Sequence, residues 1–195
     1  MLVSPRVAVY LAQSFIVFYD FAADRQLLIY QNSNGHKPYR ALAFEGGRLF
    51  AGEGSTKQGE IQVFRVSVEG SRVDMELSMV LRGHRYGISQ IIVQEDLVVS
   101  VGDDNDKGVL VWETVSPRML SANLMKTATV LGALFVPDPP PGEVHFVTYG
   151  THCHLKLWSL QVERSDKYPA VYSLKGAKAT DKLVPQLVGK KLLLG

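Results

Sequence analysis

The sequence predicts an all-β chain made of four copies of one antiparallel unit. Short runs rich in Val, Ile, Phe and Tyr are separated by turn formers, and no stretch holds a helical period with caps at both ends. Four of these runs end in an aromatic residue, Tyr19, Phe64, Trp112 and Trp158, spaced 45, 48 and 46 residues apart. The strand before each aromatic ends in a small residue and a turn, at Ala12, Gly52, Gly102 and Gly150. A period of this length marks a protein assembled from supersecondary repeats that bury their faces against one another.

In chain order, strands are expected at 7–12, 15–20 and 26–30, then at 40–44, 48–52 and 60–64. Residues 55–59 (STKQG) read as a hairpin loop and 68–74 (VEGSRVD) as the next connection. Strands at 88–93, 97–102 and 108–113 follow, with DDNDKG (103–108) as the loop before the last of them. The final group is 130–136, 143–150 and 154–158. Its PDPPPG connection (137–142) is short of ladder donors and stiff as polyproline II.

The bulk numbers fit a soluble globular chain: 195 residues, 46% hydrophobic and 21% charged. Net charge is +2 but uneven, because residues 164–195 hold 7 basic against 2 acidic residues. Such a segment could suit an acidic partner such as nucleic acid, a membrane surface or tubulin, but its lysines are scattered as on a solvated linker, and neither a membrane nor nucleic acid is expected as a partner. The single cysteine, Cys153, rules out an internal disulfide framework and suits a reducing compartment. The first 20 residues lack a signal-peptide pattern and the length of a membrane span, so the expected address is cytoplasmic.

Three motifs suggest chemistry. In VGDDNDKGVLVWE (101–113), Asp103, Asn105 and Gly108 match positions of a calcium loop. Lys107 and Thr114 then occupy two ligand positions, which puts an ammonium at the cation and removes the bidentate carboxylate. THCH (151–154) offers two histidines flanking a thiol, without the second ligand pair that a closed zinc site needs. GEGSTK (52–57) echoes a phosphate loop but leads into a strand, not a helix N-terminus. No metal and no cofactor are expected.

Gly83-His84 stands 28 residues before Trp112, and Gly35-His36 the same distance before Phe64. With the terminal dipeptides Tyr19-Asp20, Phe64-Arg65, Trp112-Glu113 and Trp158-Ser159, the chain resembles the WD40 β-propellers over residues 6–176. Segments 40–54, 84–93, 99–113, 146–160 and 183–195 are similar to the WD-repeat scaffolds related to mitogen-activated protein kinase-binding protein and its spindle-pole relative. The cilia-associated and microtubule-associated-protein-like propellers come second. The resemblance implies a partial propeller of about four four-stranded blades, near 6–31, 36–82, 84–124 and 127–175. Residues 177–195 would then begin a fifth blade or form a basic linker, so that the remaining blades come from a longer chain or another copy.

The resemblance also implies a buried network in the third unit, where Asp106 lies six residues before Trp112, and it expects Asp106 to bond both His84 and Ser100. His84, Ser100 and Asp106 match a hydrolase triad in composition, yet no G-x-S-x-G elbow exposes the serine. A non-catalytic interaction module is therefore expected. Its partner-facing rim would carry Lys57, Arg85, Tyr86, Asp103 and Asp104, residue types that suit a protein interface and also suit ordinary solvated loops. By resemblance the partners would be kinases or microtubule and spindle proteins, at the cytoskeleton, centrosome or spindle.

Overall fold

A computed structural model describes residues 1–33, 35, 37–125, 128–165 and 168–174. The described residues form strands and turns, with no helix among them. The strands are β1 (Val7–Ala12), β2 (Phe15–Asp20), β3 (Arg25–Gln31), β4 (Tyr39–Glu45), β5 (Arg48–Glu53), β6 (Glu60–Glu69), β7 (Arg72–Arg82) and β8 (Ile88–Gln94). They continue as β9 (Leu97–Gly102), β10 (Gly108–Glu113), β11 (Arg118–Leu124), β12 (Val130–Phe135), β13 (Glu143–Gly150), β14 (Leu155–Ser165) and β15 (Tyr168–Leu174). Each strand pairs antiparallel with its sequence neighbour in one of four sheets, β1–β3, β4–β7, β8–β11 and β12–β15.

The core lies between sheets, face to face. Val7, Val9, Ile16 and Phe18 of the first sheet meet Leu49, Ala51, Phe64 and Val66 of the second. Ala41, Phe50, Ile61 and Val63 on the other face of the second sheet meet Ile88, Val98, Leu110 and Trp112 of the third. Val99, Val101, Val109 and Val111 meet Ala133, Phe146, Trp158 and Leu160 of the fourth. Period-2 alternation sends successive residues of one strand to opposite faces. A sheet with neighbours on both sides must then be apolar at nearly every position, and all six residues of both β9 and β10 are buried. This explains the unbroken LVVSV and GVLVW runs. β4 lies beside β8 and β8 beside β12, which makes these strands the inner edge of a radial stack.

The structure corrects two expectations and fills in another. The first sheet has three strands, not four: Tyr19 lies on its middle strand β2, where Phe64, Trp112 and Trp158 lie on the third strand of their sheets. Among the described residues, the inner position beside β1 holds no strand: Leu2 bridges Ala8, and Met1 and Val9 exchange backbone hydrogen bonds. Second, 68–74 is mostly strand, because β6 and β7 stay paired out to Glu69↔Arg72. Val66 and Val73 are buried there against the first sheet, which rewards the extension. The fourth strand that the resemblance implies for each later blade is β7, β11 and β15, which no apolar run in the sequence marks. The visible reason is in β7 and β11, where one side faces solvent and charged or small residues break the apolar run. The expected fifth blade at 177–195 and His36 of the Gly35-His36 pair lie outside the described residues.

Candidate interaction rim and its buried supports

In the third sheet, β9 supplies Ser100 and β10 supplies Trp112, while the flanking loops supply His84 and Asp106. His84 Nδ1 lies 2.8 Å from Asp106 Oδ1, and His84 Nε2 lies 2.7 Å from Ser100 Oγ. The Trp112 indole N–H donates to the same Ser100 oxygen at 2.8 Å. With the carboxylate on Nδ1, the proton belongs on Nδ1, so the Ser100 hydroxyl donates to Nε2. Every polar atom of the set then has a partner. The order Asp–His–Ser is that of a hydrolase, but Ser100 is wholly buried and its lone pair receives the indole.

Asp106 does not bond Ser100 directly, contrary to the expectation; the imidazole stands between them. Its second oxygen instead accepts the backbone N–H groups of Arg85 (2.6 Å) and Tyr86 (3.0 Å), and its first accepts Gly108 N–H. Burial alone would push this carboxyl up. The hydrogen bond from His84, with those from the Tyr86 and Arg85 amides, outweighs that and holds it below its ordinary value. The buried network therefore fixes the backbone of the two residues that stand above it.

That backbone is also held from both sides. Gln58 N–H donates to Arg85 O at 2.7 Å, Gly59 N–H to Tyr86 O at 2.9 Å, and Asp103 N–H to Gly87 O at 2.8 Å. The 83–87 segment thus threads between the 54–59 loop of the second sheet and the 103–107 loop of the third. The fit needs glycine at two points. A Cβ on Gly59 would stand 2.1 Å from Tyr86 O, and one on Gly87 would stand 2.6 Å from Asp103 Oδ2.

Arg85, Tyr86, Lys57 and Asp104 are exposed along this rim. Asp103 is less available than its sequence position suggests. It is only part-exposed, and its Oδ1 accepts the N–H groups of Asn105 (3.0 Å) and Asp106 (3.1 Å), so it closes its own loop. The GEGSTK stretch borders a shallow cleft of about 300 Å³ with Lys37, Pro38, Gly54, Ser55 and Thr56. It runs into β6.

Two further buried networks escaped the sequence reading. In the fourth sheet, Trp158 Nε1 donates to Thr148 Oγ1 at 2.9 Å, and His154 Nε2 lies 2.9 Å from the same oxygen. His154 is buried, and burial together with nearby Lys156 holds its imidazole below the ordinary value. The adjacent His152 and Cys153 are exposed, so the THCH side chains diverge. The available signal was Thr148, which faces the position two before Trp158 as Ser100 does for Trp112. In the second sheet Ala51 fills that place, and the network is rebuilt around Glu53. That carboxylate accepts from Asn32 Nδ2 (3.0 Å), Lys37 Nζ (3.2 Å) and Glu60 N–H (3.3 Å), and the Tyr39 hydroxyl donates to nearby Gln62 at 2.5 Å. Nothing in the repeat register pointed to it.

No protein family and no curated protein matches the sequence. Solved structures do match: a chain in the crystal structure of a mitotic checkpoint complex superposes with a TM-score of 0.60 at 15% identity, over 90% of this chain and 52% of that one. The fold is a partial β-propeller. The chain spans about half the length of that neighbour. At this identity the likeness describes architecture, which many unrelated functions share.

Proposed function

We propose that the chain is a non-catalytic protein-interaction module whose partner-binding surface is the rim carrying Lys57, Arg85, Tyr86 and Asp104. The observation that carries this reading is the treatment of one short segment. Arg85 and Tyr86 point outward from a backbone held by a buried carboxylate below and by a loop on each side. Exposed Tyr and Arg on a rigid support are the residues that dominate protein interfaces, because little entropy is lost when they are captured. Asp103 supports the loop and contributes to binding through it. The wholly buried Ser100 supports the non-catalytic assignment, since a nucleophile must meet its substrate.

The resemblance of segments 40–54, 84–93, 99–113, 146–160 and 183–195 to the mitogen-activated protein kinase-binding and spindle-pole WD-repeat scaffolds is the ground on which we propose kinase-cascade or spindle partners and a cytoplasmic or cytoskeletal address. Affinity capture from cell extract tests the surface. The chain should retain a set of proteins that the triple variant Arg85→Ala, Tyr86→Ala, Asp104→Ala loses at unchanged melting temperature. An unchanged set would remove the rim from consideration.

A further inference from the structure

The tetrapeptide Val-Ser-Pro-Arg occurs twice, at 3–6 and 115–118. Both copies place their arginine on a buried carboxylate, and in both that acid directly follows the aromatic residue of the repeat. Arg6 Nη2 donates to Asp20 Oδ2 at 3.0 Å, and Arg118 Nε donates to Glu113 Oε2 at 2.6 Å. The serines differ. Ser4 is part-buried, and its oxygen accepts the Val7 N–H at 3.1 Å. Ser116 is exposed in the 114–117 turn that joins β10 to β11, together with Val115 and Pro117.

We propose that Ser116 is a phosphorylation site for a proline-directed protein kinase, and that the phosphate works by taking Arg118 from Glu113. A serine followed by proline and then a basic residue, in an exposed turn, is the pattern such kinases accept. Proline also biases the serine before it toward the extended conformation in which a substrate lies in a kinase cleft. The step uses ATP: the Ser116 Oγ–phosphorus bond forms as the bond from the γ-phosphorus to the β,γ-bridging oxygen breaks. ADP leaves, and the hydroxyl proton passes to the kinase's base and on to solvent.

The product carries nearly two negative charges and three acceptor oxygens, two residues from a guanidinium that is half exposed. The side chain of Glu113 is 2% exposed, so removing its cation leaves a buried charge without compensation, whereas the new surface pair returns little. A second arginine stands at the same turn. Arg48, from the neighbouring sheet, donates to Thr114 Oγ1 at 2.8 Å and to Asp96 Oδ1 at 3.1 Å. The phosphate thus competes for Arg118 and for Arg48 beside the same turn, and loosening that junction is the regulatory consequence.

The 195-residue chain, incubated with ATP and a purified proline-directed kinase, should gain one phosphate that peptide mass mapping places on Ser116. Ser116→Ala should take none there and keep its melting temperature. The phosphorylated chain should melt several degrees lower. Arg118→Gln should lower the melting temperature of unmodified protein and leave phosphorylation little further effect. Failure to label Ser116 when a free peptide of the same residues is labelled would overturn the site, as would labelling confined to Ser4. A phosphate mapped to Ser116 with an unchanged melting temperature would overturn the arginine exchange.

Discussion

At the scale of single residues, the rim depends on atoms that never meet solvent. Ser100 receives the Trp112 indole and pairs with His84, so Ser100→Ala strands a buried donor and a buried acceptor together. The expected cost is about 2–3 kcal/mol in urea unfolding. Thr148→Val in the fourth sheet should lose a similar amount, since Trp158 and His154 share one hydroxyl in the same way. Acid should act in two windows. The Asp106 carboxyl is depressed in the folded chain, so its contribution is complete above about pH 4, the unfolded value, and disappears as pH falls through the folded one. His154 is also depressed, so the unfolded chain binds the proton first and stability begins to fall below about pH 6.5. Unfolding free energies collected across pH should show that upper slope flatten in His154→Gln, while Asp106→Asn should lessen the lower one, which the likewise depressed Asp20 shares.

At the scale of strands and loops, the top of the molecule is built by interlocking. Gly59→Ala would drive a methyl into Tyr86 O, forcing the 54–59 and 83–87 loops apart. A loss of about 1–3 kcal/mol is expected, with a matching loss of any rim-dependent partner, measured on one preparation. The opposite end is tied by Arg48, which reaches Asp96, Thr114 and the carbonyl of Glu95 in the adjacent sheet. A double-mutant cycle of Arg48→Met with Asp96→Asn should give a coupling of about 0.5–1 kcal/mol, because the pair is part-exposed. Strand legibility followed burial. β5, β9 and β10 are visible because burial demands apolar side chains, while β7 and β11 are hidden because a strand with one wet side and a free edge can be built from charged and small residues.

At the scale of the whole molecule, the radial stack leaves a face of the fourth sheet with Leu131 and Tyr149 exposed. Apolar groups on an inner strand and its neighbour favour association, so sedimentation of the isolated chain should show self-association that rises with concentration. Leu131→Lys with Tyr149→Lys should reduce it. The sequence by itself determined the all-β class and the period near 46 residues, while the members of the third network follow from the family resemblance. Each depends on a pattern written locally: alternation, turn chemistry, or an offset counted from an aromatic. Only the tertiary structure decided that the first sheet has three strands, that Asp103 closes its own loop, and that Glu53 and His154 anchor the other networks. Those outcomes turn on which groups lie within hydrogen-bond reach after the sheets stack. Reach between residues some twenty or more positions apart, as for Asn32 and Glu53, is a property of packing that no local pattern records.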